Sequence, residues 1–174
     1  SGNNLQGGTG ASAGIYTEFN LTECLFVDNV LESWLVGIYF NQTAAQAAQR
    51  CIIANNVCRS NTNQGIHLSR FHRGVISGNM CSGNGRAGLS LSYSSYNNIT
   101  GNNVSGNSQT TDATYQGIVL DGASGTESIE NTVANNVVRH GGGAAQHQYG
   151  IHLNTYSISN YVHHNDLRTS GRTA

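Results

Sequence analysis

Two acidic side chains in this sequence have the residue types needed for acid–base chemistry on a sugar. Asp121 and Glu127 are separated by a short polar segment. Glycoside hydrolysis generally uses two carboxyl groups, about 5 to 9.5 Å apart. If the protein cleaves a glycosidic bond, we therefore predict that Asp121 and Glu127 are its catalytic pair. His152 and Asn154 are predicted to position the substrate beside them.

A second group combines imidazoles with fixed positive charge. His67 is followed by Arg70, His72 and Arg73, the last three within the loop 69–74. Removal of a proton beside a uronate carboxyl needs a base, and a cation to hold the carboxylate. This group could supply both, which favours a polysaccharide lyase or epimerase as an alternative. A solvated turn over a buried Phe71 is the other interpretation of the same residues.

Tyrosines near these groups offer aromatic surfaces for sugar rings. We predict Tyr93 and Tyr96 as substrate-binding residues, together with His67, His152 and Asn154. No regular spacing brings three histidine nitrogens together, so we predict no metal and no other cofactor.

These side chains are carried by a repeat that occurs six times. Its first half is a glycine followed by an alternating apolar segment, and successive glycines are 23 to 33 residues apart. The glycines are Gly14, Gly37, Gly65, Gly88, Gly117 and Gly150. Periods of this length are typical of solenoids, in which each repeat is one coil. The segments are short, aliphatic and bounded by Gly, Asn and Ser, which predicts strands without helices between them.

The second half of the repeat has two apolar positions around a polar one. We predict that this polar position both adopts the left-handed backbone conformation and forms a ladder of stacked side chains. Its occupants in successive coils are Asp28, Asn55, Gly78, Asn102, Asn135 and Asn165. The predicted fold is thus an all-β, single-stranded parallel β-helix solenoid of about six coils. Residues 14–174 form it, and residues 1–13 form an N-terminal extension or partial coil.

Alternation along the glycine-containing strands predicts which side chains face solvent. Two outward columns result, the first made of Tyr16, Tyr39, His67, Ser90, Val119 and His152, the second of Glu18, Asn41, Ser69, Ser92, Asp121 and Asn154. Such columns suit a sugar-binding surface and equally suit a solvated sheet face. Asp121 has no acidic neighbour in its column, so its partner must come from a loop, either Glu127 or Asp112.

Charge and cysteine content restrict the partners. The net charge of -1 and the absence of a basic stripe argue against nucleic acid or an anionic membrane as partners. No apolar run is long enough to span a membrane. Cys24 and Cys51 occupy equivalent positions in adjacent coils, as do Cys58 and Cys81. Side chains stacked in register point the same way, so we expect free thiols rather than disulfides.

The run from Asn98 to Asn107, followed by a Gly-Ile-x-Leu strand, resembles the repeat of right-handed parallel β-helix proteins of the pectate-lyase-like superfamily. The segment from Tyr149 to Arg168 is similar to β-helix segments of bacteriophage tailspikes and tail fibres. The resemblance covers roughly residues 10–170 and implies a right-handed β-helix, which we expect to be a fragment of a longer chain.

The same resemblance implies a polysaccharide or oligosaccharide partner, a homotrimer, and a location in a virion tail or outside the cell. It favours binding, and cleavage if any, of bacterial surface polysaccharide, with glycoside hydrolysis preferred over a lyase reaction. A non-catalytic structural or adhesive β-helix is the main alternative. The Asp-Pro-His-Glu motif of mannuronan epimerases is absent, because the chain has no proline.

Overall fold

The protein is a stack of short strands, without a helix among the residues described. The computed structural model describes residues 3–8, 12–111, 114–141 and 146–169. Asp112, a predicted alternative partner of Asp121, lies outside these ranges. Within them, no helix is long or apolar enough to cross a membrane.

Six successive coils contain all the strands. Coils 1 and 2 contain β1 (Asn4–Gln6), β2 (Ala13–Thr17), β3 (Leu21–Thr22), β4 (Leu25–Val27), β5 (Val30–Glu32), β6 (Val36–Asn41), β7 (Ala48–Gln49) and β8 (Ile52–Ala54). Coils 3 and 4 contain β9 (Val57–Arg59), β10 (Ile66–Ser69), β11 (Phe71–His72), β12 (Val75–Ser77), β13 (Met80–Ser82), β14 (Leu89–Ser92) and β15 (Asn98–Thr100). Coils 5 and 6 contain β16 (Asn103–Ser105), β17 (Ile118–Asp121), β18 (Thr132–Ala134), β19 (Val137–Arg139), β20 (Ile151–Leu153) and β21 (Tyr161–His163).

Equivalent strands of neighbouring coils pair in parallel and form four sheets. Sheet A has the order β1-β5-β9-β13-β16-β19, sheet B β2-β6-β10-β14-β17-β20, sheet C β3-β7-β11, and sheet D β4-β8-β12-β15-β18-β21. The predicted all-β parallel solenoid of about six coils is confirmed. β1 already pairs with β5, and the division of the chain at residue 13 stays a prediction.

The core is a narrow column of aliphatic side chains along the axis of the stack. In sheet B, Ile38, Ile66 and Leu89 pair in successive coils and are fully buried. Each such side chain contributes about 1.5 to 3 kcal/mol when removed from water. This in-register stacking explains why a chain with few apolar residues forms a continuous core.

The predicted asparagine ladder exists, but its residues are one position later than predicted in most coils. In coil 2, Asn56 donates from Nδ2 to Oδ1 of Asn79 at 3.0 Å, and Asn79 bonds Asn102 likewise at 2.9 Å. Among the described residues the ladder consists of Asn3, Asn29, Asn56, Asn79, Asn102, Asn136 and Asn165.

The residues that precede the ladder asparagines have a different role, which is to turn the backbone. Asp28, Asn55 and Asn135 have φ near 60°, and Gly78 has φ 64°. These residues make the left-handed turn and leave the ladder to their neighbours. The expectation that one position serves both purposes is therefore wrong, and Asp28 does not interrupt the ladder.

The repeated glycine is required by close packing between coils. A Cβ atom on Gly37 would lie 2.5 Å from the carbonyl oxygen of Gly65, and one on Gly65 would lie 2.8 Å from that of Gly88. Real Cβ atoms do not approach oxygen so closely. The motif glycines therefore belong to the scaffold.

Candidate functional site

The outward face of sheet B carries the first predicted column in the expected order. Tyr16 pairs with Tyr39, Tyr39 with His67, and His67 with Ser90. In the second column, Ser69 lies between Asn41 and Ser92, and Ser92 pairs with Asp121. The register thus follows the predicted columns, but Ser90 of the first column is buried and does not face solvent as predicted.

Three aromatic rings of the first column form a continuous stack in coils 1 to 3. The ring centroids of Tyr16 and Tyr39 are 5.5 Å apart with planes tilted by 59°, and those of Tyr39 and His67 are 5.1 Å apart with planes 20° from parallel. Beside the two tyrosines is an open depression of about 540 Å³, also lined by Ser12, Ala13 and Leu35. The stack is a rigid aromatic platform, since each ring is held on a paired strand.

Two members of this stack, Tyr39 and His67, are held in their neutral forms. Burial lowers the pKa of His67. Burial, and secondarily the neighbouring Tyr16, raises the pKa of Tyr39. A neutral imidazole of His67 can accept a proton.

Next to the stack, where β10 turns into sheet C, lies a basic corner formed by Arg70, His72, Arg73, Tyr93 and Tyr96. The guanidinium of Arg70 lies over the ring of Tyr93, 5.2 Å from its centroid. That of Arg73 lies over Tyr96 at 5.1 Å. The backbone explains this arrangement, because the two arginines and two tyrosines all have φ between 54° and 63°.

His72 is fixed in one tautomer at this corner. Its Nδ1 accepts a hydrogen bond from the backbone N–H of Ser95 at 3.2 Å. Burial lowers the pKa of His72, and the charges of Arg73 and Arg70 add to the effect. The proton of the neutral ring is therefore on Nε2.

The positive charges of this corner are not neutralised by ion pairs in the described part of the chain. The ion pairs found there join Arg50 to Glu23, Arg59 to Glu32, and both Arg139 and Arg168 to Asp166. Arg70 and Arg73 contact tyrosine rings instead. Their guanidinium edges can bind an external anion without first breaking a salt bridge.

The predicted carboxyl pair lies further along the stack. Asp121 ends β17, and its carboxylate accepts a hydrogen bond from the amide of Asn154. Glu127 follows in the next loop, where its Oε1 accepts from the backbone N–H of Gly125 at 2.9 Å. The loop is tied back to the strand, because Ser128 Oγ donates to the Asp121 carbonyl at 2.6 Å. The catalytic role of Asp121 and Glu127 stays a prediction.

The predicted site residues thus fall into two groups on sheet B and its following corner. His67, Tyr93 and Tyr96 belong to coils 3 and 4. Asp121, Glu127, His152 and Asn154 belong to coils 5 and 6, where His152 stacks on Tyr149 with centroids 5.3 Å apart. Ser90 and Val119 separate the two groups in the first column.

Sequence reasoning missed the pairing of arginine with tyrosine at the corner. The signal was present, since Arg70 and Tyr93 are 23 residues apart, as are Arg73 and Tyr96. This separation equals the length of that coil between Gly65 and Gly88, so each arginine had to lie beside its tyrosine.

Possible metal ligands are scattered. In the described ranges, no three side chains of His, Cys, Asp or Glu converge on a common point. His163 and His164 have their Nδ1 atoms 2.6 Å apart, but they form only a pair.

Solved structures with the same fold include polysaccharide-modifying enzymes and a tailspike. The periplasmic alginate epimerase AlgG aligns with a TM-score of 0.77 at 14% identity, covering 94% of this chain and 38% of AlgG. The A-module of the mannuronan C-5 epimerase AlgE4 of Azotobacter vinelandii gives 0.60 at 15% identity, covering 90% and 51%. The Dettilon tailspike protein gives 0.61 at 19% identity, covering 92% and 42%.

These likenesses confirm the predicted pectate-lyase-like β-helix resemblance at the level of the fold. The chain spans well under half the length of AlgG. No curated protein matches the sequence. The model of the family described as "Periplasmic copper-binding protein (NosD)" matches residues 2–173, and the chain therefore belongs to the NosD family.

Proposed function

We propose that the outward face of sheet B in coils 1 to 4, with the basic corner, binds an acidic polysaccharide. One observation carries the proposal. Arg70 and Arg73 are held over Tyr93 and Tyr96 without carboxylate partners, next to the aromatic stack of Tyr16, Tyr39 and His67.

The stack gives sugar rings an uncharged, largely apolar surface to pack against. Its members repeat with the coil spacing of about 4.8 Å, which is close to the length of one pyranose unit. Successive sugars can therefore meet successive rings. The polar residues of the second column, such as Asn41 and Ser69, supply hydrogen bonds to hydroxyl groups.

The basic corner selects for carboxylated sugars. A guanidinium can bind a carboxylate through two parallel hydrogen bonds. Because each guanidinium face lies on a tyrosine ring, the side chain is already oriented and loses little freedom on binding. A neutral polysaccharide has no carboxylate to pair with the guanidinium groups of Arg70 and Arg73.

The comparisons support this choice of ligand without establishing it. AlgG and AlgE4 are named as epimerases of alginate and mannuronan, which are acidic polysaccharides. The likeness to the Dettilon tailspike protein agrees with the sequence-based expectation that the ligand is a bacterial surface polysaccharide. In this proposal the protein acts outside the cytoplasm, and a homotrimer or a virion tail stays a prediction.

Proton abstraction from a bound uronate is a second candidate function, favoured by the neutral state of His67. An imidazole kept neutral by burial can take the proton beside a carboxyl group, while Arg70 stabilises the negative charge that develops. A lyase reaction would release an unsaturated sugar that absorbs in the near ultraviolet. An epimerase would instead exchange the abstracted proton with solvent.

The family description names copper, which side chains of His, Cys, Asp or Glu could bind. A copper(II) site of three or four side chains is not formed by the described residues, because no three candidate ligands converge. Soft thiols suit copper(I), but Cys51, Cys58 and Cys81 are fully buried and only Cys24 is partly exposed. No step of the proposed polysaccharide binding involves the metal.

Calorimetric titration with an acidic polysaccharide tests the proposal. We expect Tyr39→Ala and Arg70→Gln each to weaken binding roughly tenfold or more, a loss of about 1.4 kcal/mol. Matched controls are Tyr161→Ala, an exposed tyrosine of sheet D, and Arg59→Gln on sheet A. Equal losses in the controls, or no binding to any polysaccharide tested, would overturn the proposal.

A further inference from the structure

A third arginine lies over a tyrosine ring, on the side of sheet B opposite the basic corner. The guanidinium of Arg86 is 5.4 Å from the ring centroid of Tyr115. Both residues lie just before a sheet B strand, Arg86 before β14 and Tyr115 before β17, whereas the basic corner follows the end of β10. Each is two residues before the glycine of its repeat, Gly88 or Gly117, so they occupy the same position in adjacent coils.

This position forms a column along the starts of the sheet B strands. Its members in the six repeats are Ser12, Leu35, Asn63, Arg86, Tyr115 and Gln148. The backbone N–H of Arg86 donates to the carbonyl oxygen of Asn63 at 3.0 Å, and that of Gln148 donates to the carbonyl oxygen of Tyr115 at 2.8 Å. Backbone hydrogen bonds between coils therefore keep the column in register.

The column borders the outward face on which the aromatic stack lies. In coils 1 and 2, its members Ser12 and Leu35 line the open depression beside Tyr16 and Tyr39. Arg86 occupies the equivalent position further along the stack of coils, and its side chain is exposed. Its charge is therefore available to a ligand that lies on this face.

The loop after β16 holds Arg86 and Tyr115 together. The backbone N–H of Ser108 donates to the carbonyl oxygen of Arg86 at 2.9 Å, and Ser108 Oγ accepts from the backbone N–H of Tyr115 at 3.2 Å. Thr110 donates to the carbonyl oxygen of Gly85 from its N–H at 3.0 Å and from its hydroxyl at 2.7 Å. The two backbones are thus fixed relative to each other before a ligand binds.

The arginines divide into two classes by their partners. In the part of the chain that the structure describes, those paired with carboxylates are Arg50, Arg59, Arg139 and Arg168. Those that lie over tyrosine rings are Arg70, Arg73 and Arg86. The second class flanks a single face, with two members after the strands of sheet B and one before them.

We infer that Arg86, supported by Tyr115, is a further carboxylate-binding site that extends the polysaccharide site into coils 4 and 5. The inference rests on the proposed function. With its face on a ring, the guanidinium keeps its N–H groups available for two parallel hydrogen bonds to a carboxylate. The ligand class that fits is an oligosaccharide with several carboxylated units, whose acid groups project to both sides of its chain.

The first column leaves room for such a ligand to pass between the two sides. Beyond the rings of Tyr16, Tyr39 and His67, the column continues with Ser90, which is buried, and Val119, which is half-buried. These small side chains make the face lower in coils 4 and 5. A ligand that follows the stack from coil 1 meets the basic corner first and Arg86 one coil later.

Calorimetric titration with uronate oligosaccharides of two lengths tests the inference. With one sugar per coil, a ligand of about three units covers the stack and the adjoining basic corner, whereas one of about six units also reaches Arg86. We expect Arg86→Gln to weaken binding of the longer ligand about fivefold and to leave binding of the shorter one unchanged. Arg70→Gln should weaken both. Arg59→Gln removes the same charge from sheet A and should weaken neither.

Two results would overturn the inference. One is unchanged binding of the longer ligand by Arg86→Gln, and the other is an equal loss for both lengths, which would indicate a general effect of net charge. The carboxyl-reduced longer ligand gives a further check, because Arg86→Gln and the wild type should bind it equally. If Arg70→Gln weakens binding and Arg86→Gln does not, only this inference fails. If Arg70→Gln also has no effect, the proposed function fails.

Discussion

The imidazole of His67 stacks on the phenol ring of Tyr39 in the preceding coil, with centroids 5.1 Å apart and planes 20° from parallel. The contact follows from the parallel register of β6 and β10, which places the two residues opposite each other. Burial keeps both rings neutral, since it raises the pKa of Tyr39 and lowers that of His67. An uncharged aromatic surface thus adjoins a corner with two unpaired positive charges.

The lowered pKa of His67 predicts a pH-dependent stability. Above its unfolded-state pKa of about 6.5, His67 is neutral in both the folded and the unfolded protein, so its titration does not change the free energy of unfolding. As the pH falls from there towards the folded-state pKa, the unfolded chain binds the extra proton, so stability is lost. We expect His67→Phe, which retains the stacking, to reduce the loss of unfolding free energy between pH 7 and pH 5. If the free energy of unfolding of the wild type and of His67→Phe depended on pH in the same way, this prediction would be wrong.

The ladder asparagines should matter more for stability than the turn residues before them. The side chain of Asn79 makes four buried hydrogen bonds, to Asn56, Ile53 and Asn102. Asn79→Ala leaves several buried groups without partners, and we expect it to cost about 3 to 5 kcal/mol in urea unfolding. Asn55→Ala, at φ 57°, should cost only about 1 to 2 kcal/mol. The reverse order would show that the ladder is assigned to the wrong residues.

Close packing between coils predicts different costs for two glycines in coils 3 and 4. A Cβ on Gly65 would meet Gly88 O at 2.8 Å, whereas one on Gly83 would meet no atom within 4 Å. Gly65→Ala should destabilise by about 2 to 3 kcal/mol through overpacking. Gly83→Ala, strained only by its φ of 63°, should cost about 1 kcal/mol. Thermal unfolding of the two variants measures the difference, and equal shifts would argue against the contact.

The hydrolase hypothesis makes a prediction of its own for Asp121. If Asp121 and Glu127 cleave a glycosidic bond, Asp121→Asn should lower the rate of reducing-end formation about 100-fold or more. Glu23→Gln, which removes a carboxylate paired with Arg50 on the surface, should leave that rate unchanged. Absence of reducing ends with the wild type, or full activity in Asp121→Asn, would remove the pair from consideration.

The fold could be predicted because its signals are local and repeated. Period-two alternation around each glycine gives the members of the columns, and the coil length gives their register, but neither indicates that Ser90 is buried. The ladder was misplaced because adjacent asparagines, such as Asn55 and Asn56, are indistinguishable by residue type. Only the hydrogen-bond partners in the next coil show that Asn55 makes the turn and Asn56 the ladder.

The site was harder to predict, because its side chains are on corners. The direction of Arg70 depends on a positive φ, which no sequence pattern signalled at an arginine. Asp121 and Asn154, in contrast, were expected to be neighbours in one column, and they are hydrogen-bonded. Where the repeat is regular, the sequence gives both the position and the direction of a side chain, and where the chain turns it gives only the neighbours in adjacent coils.

The most direct test compares one acidic polysaccharide with its carboxyl-reduced, neutral form in binding to the wild-type protein. The sugar backbone is the same in both, so the comparison isolates the carboxylates that Arg70 and Arg73 are proposed to bind. We expect the acidic form to bind at least about tenfold more tightly at low salt, with the difference shrinking as salt screens the charges. Equal, salt-independent affinity for the two forms would contradict the proposal.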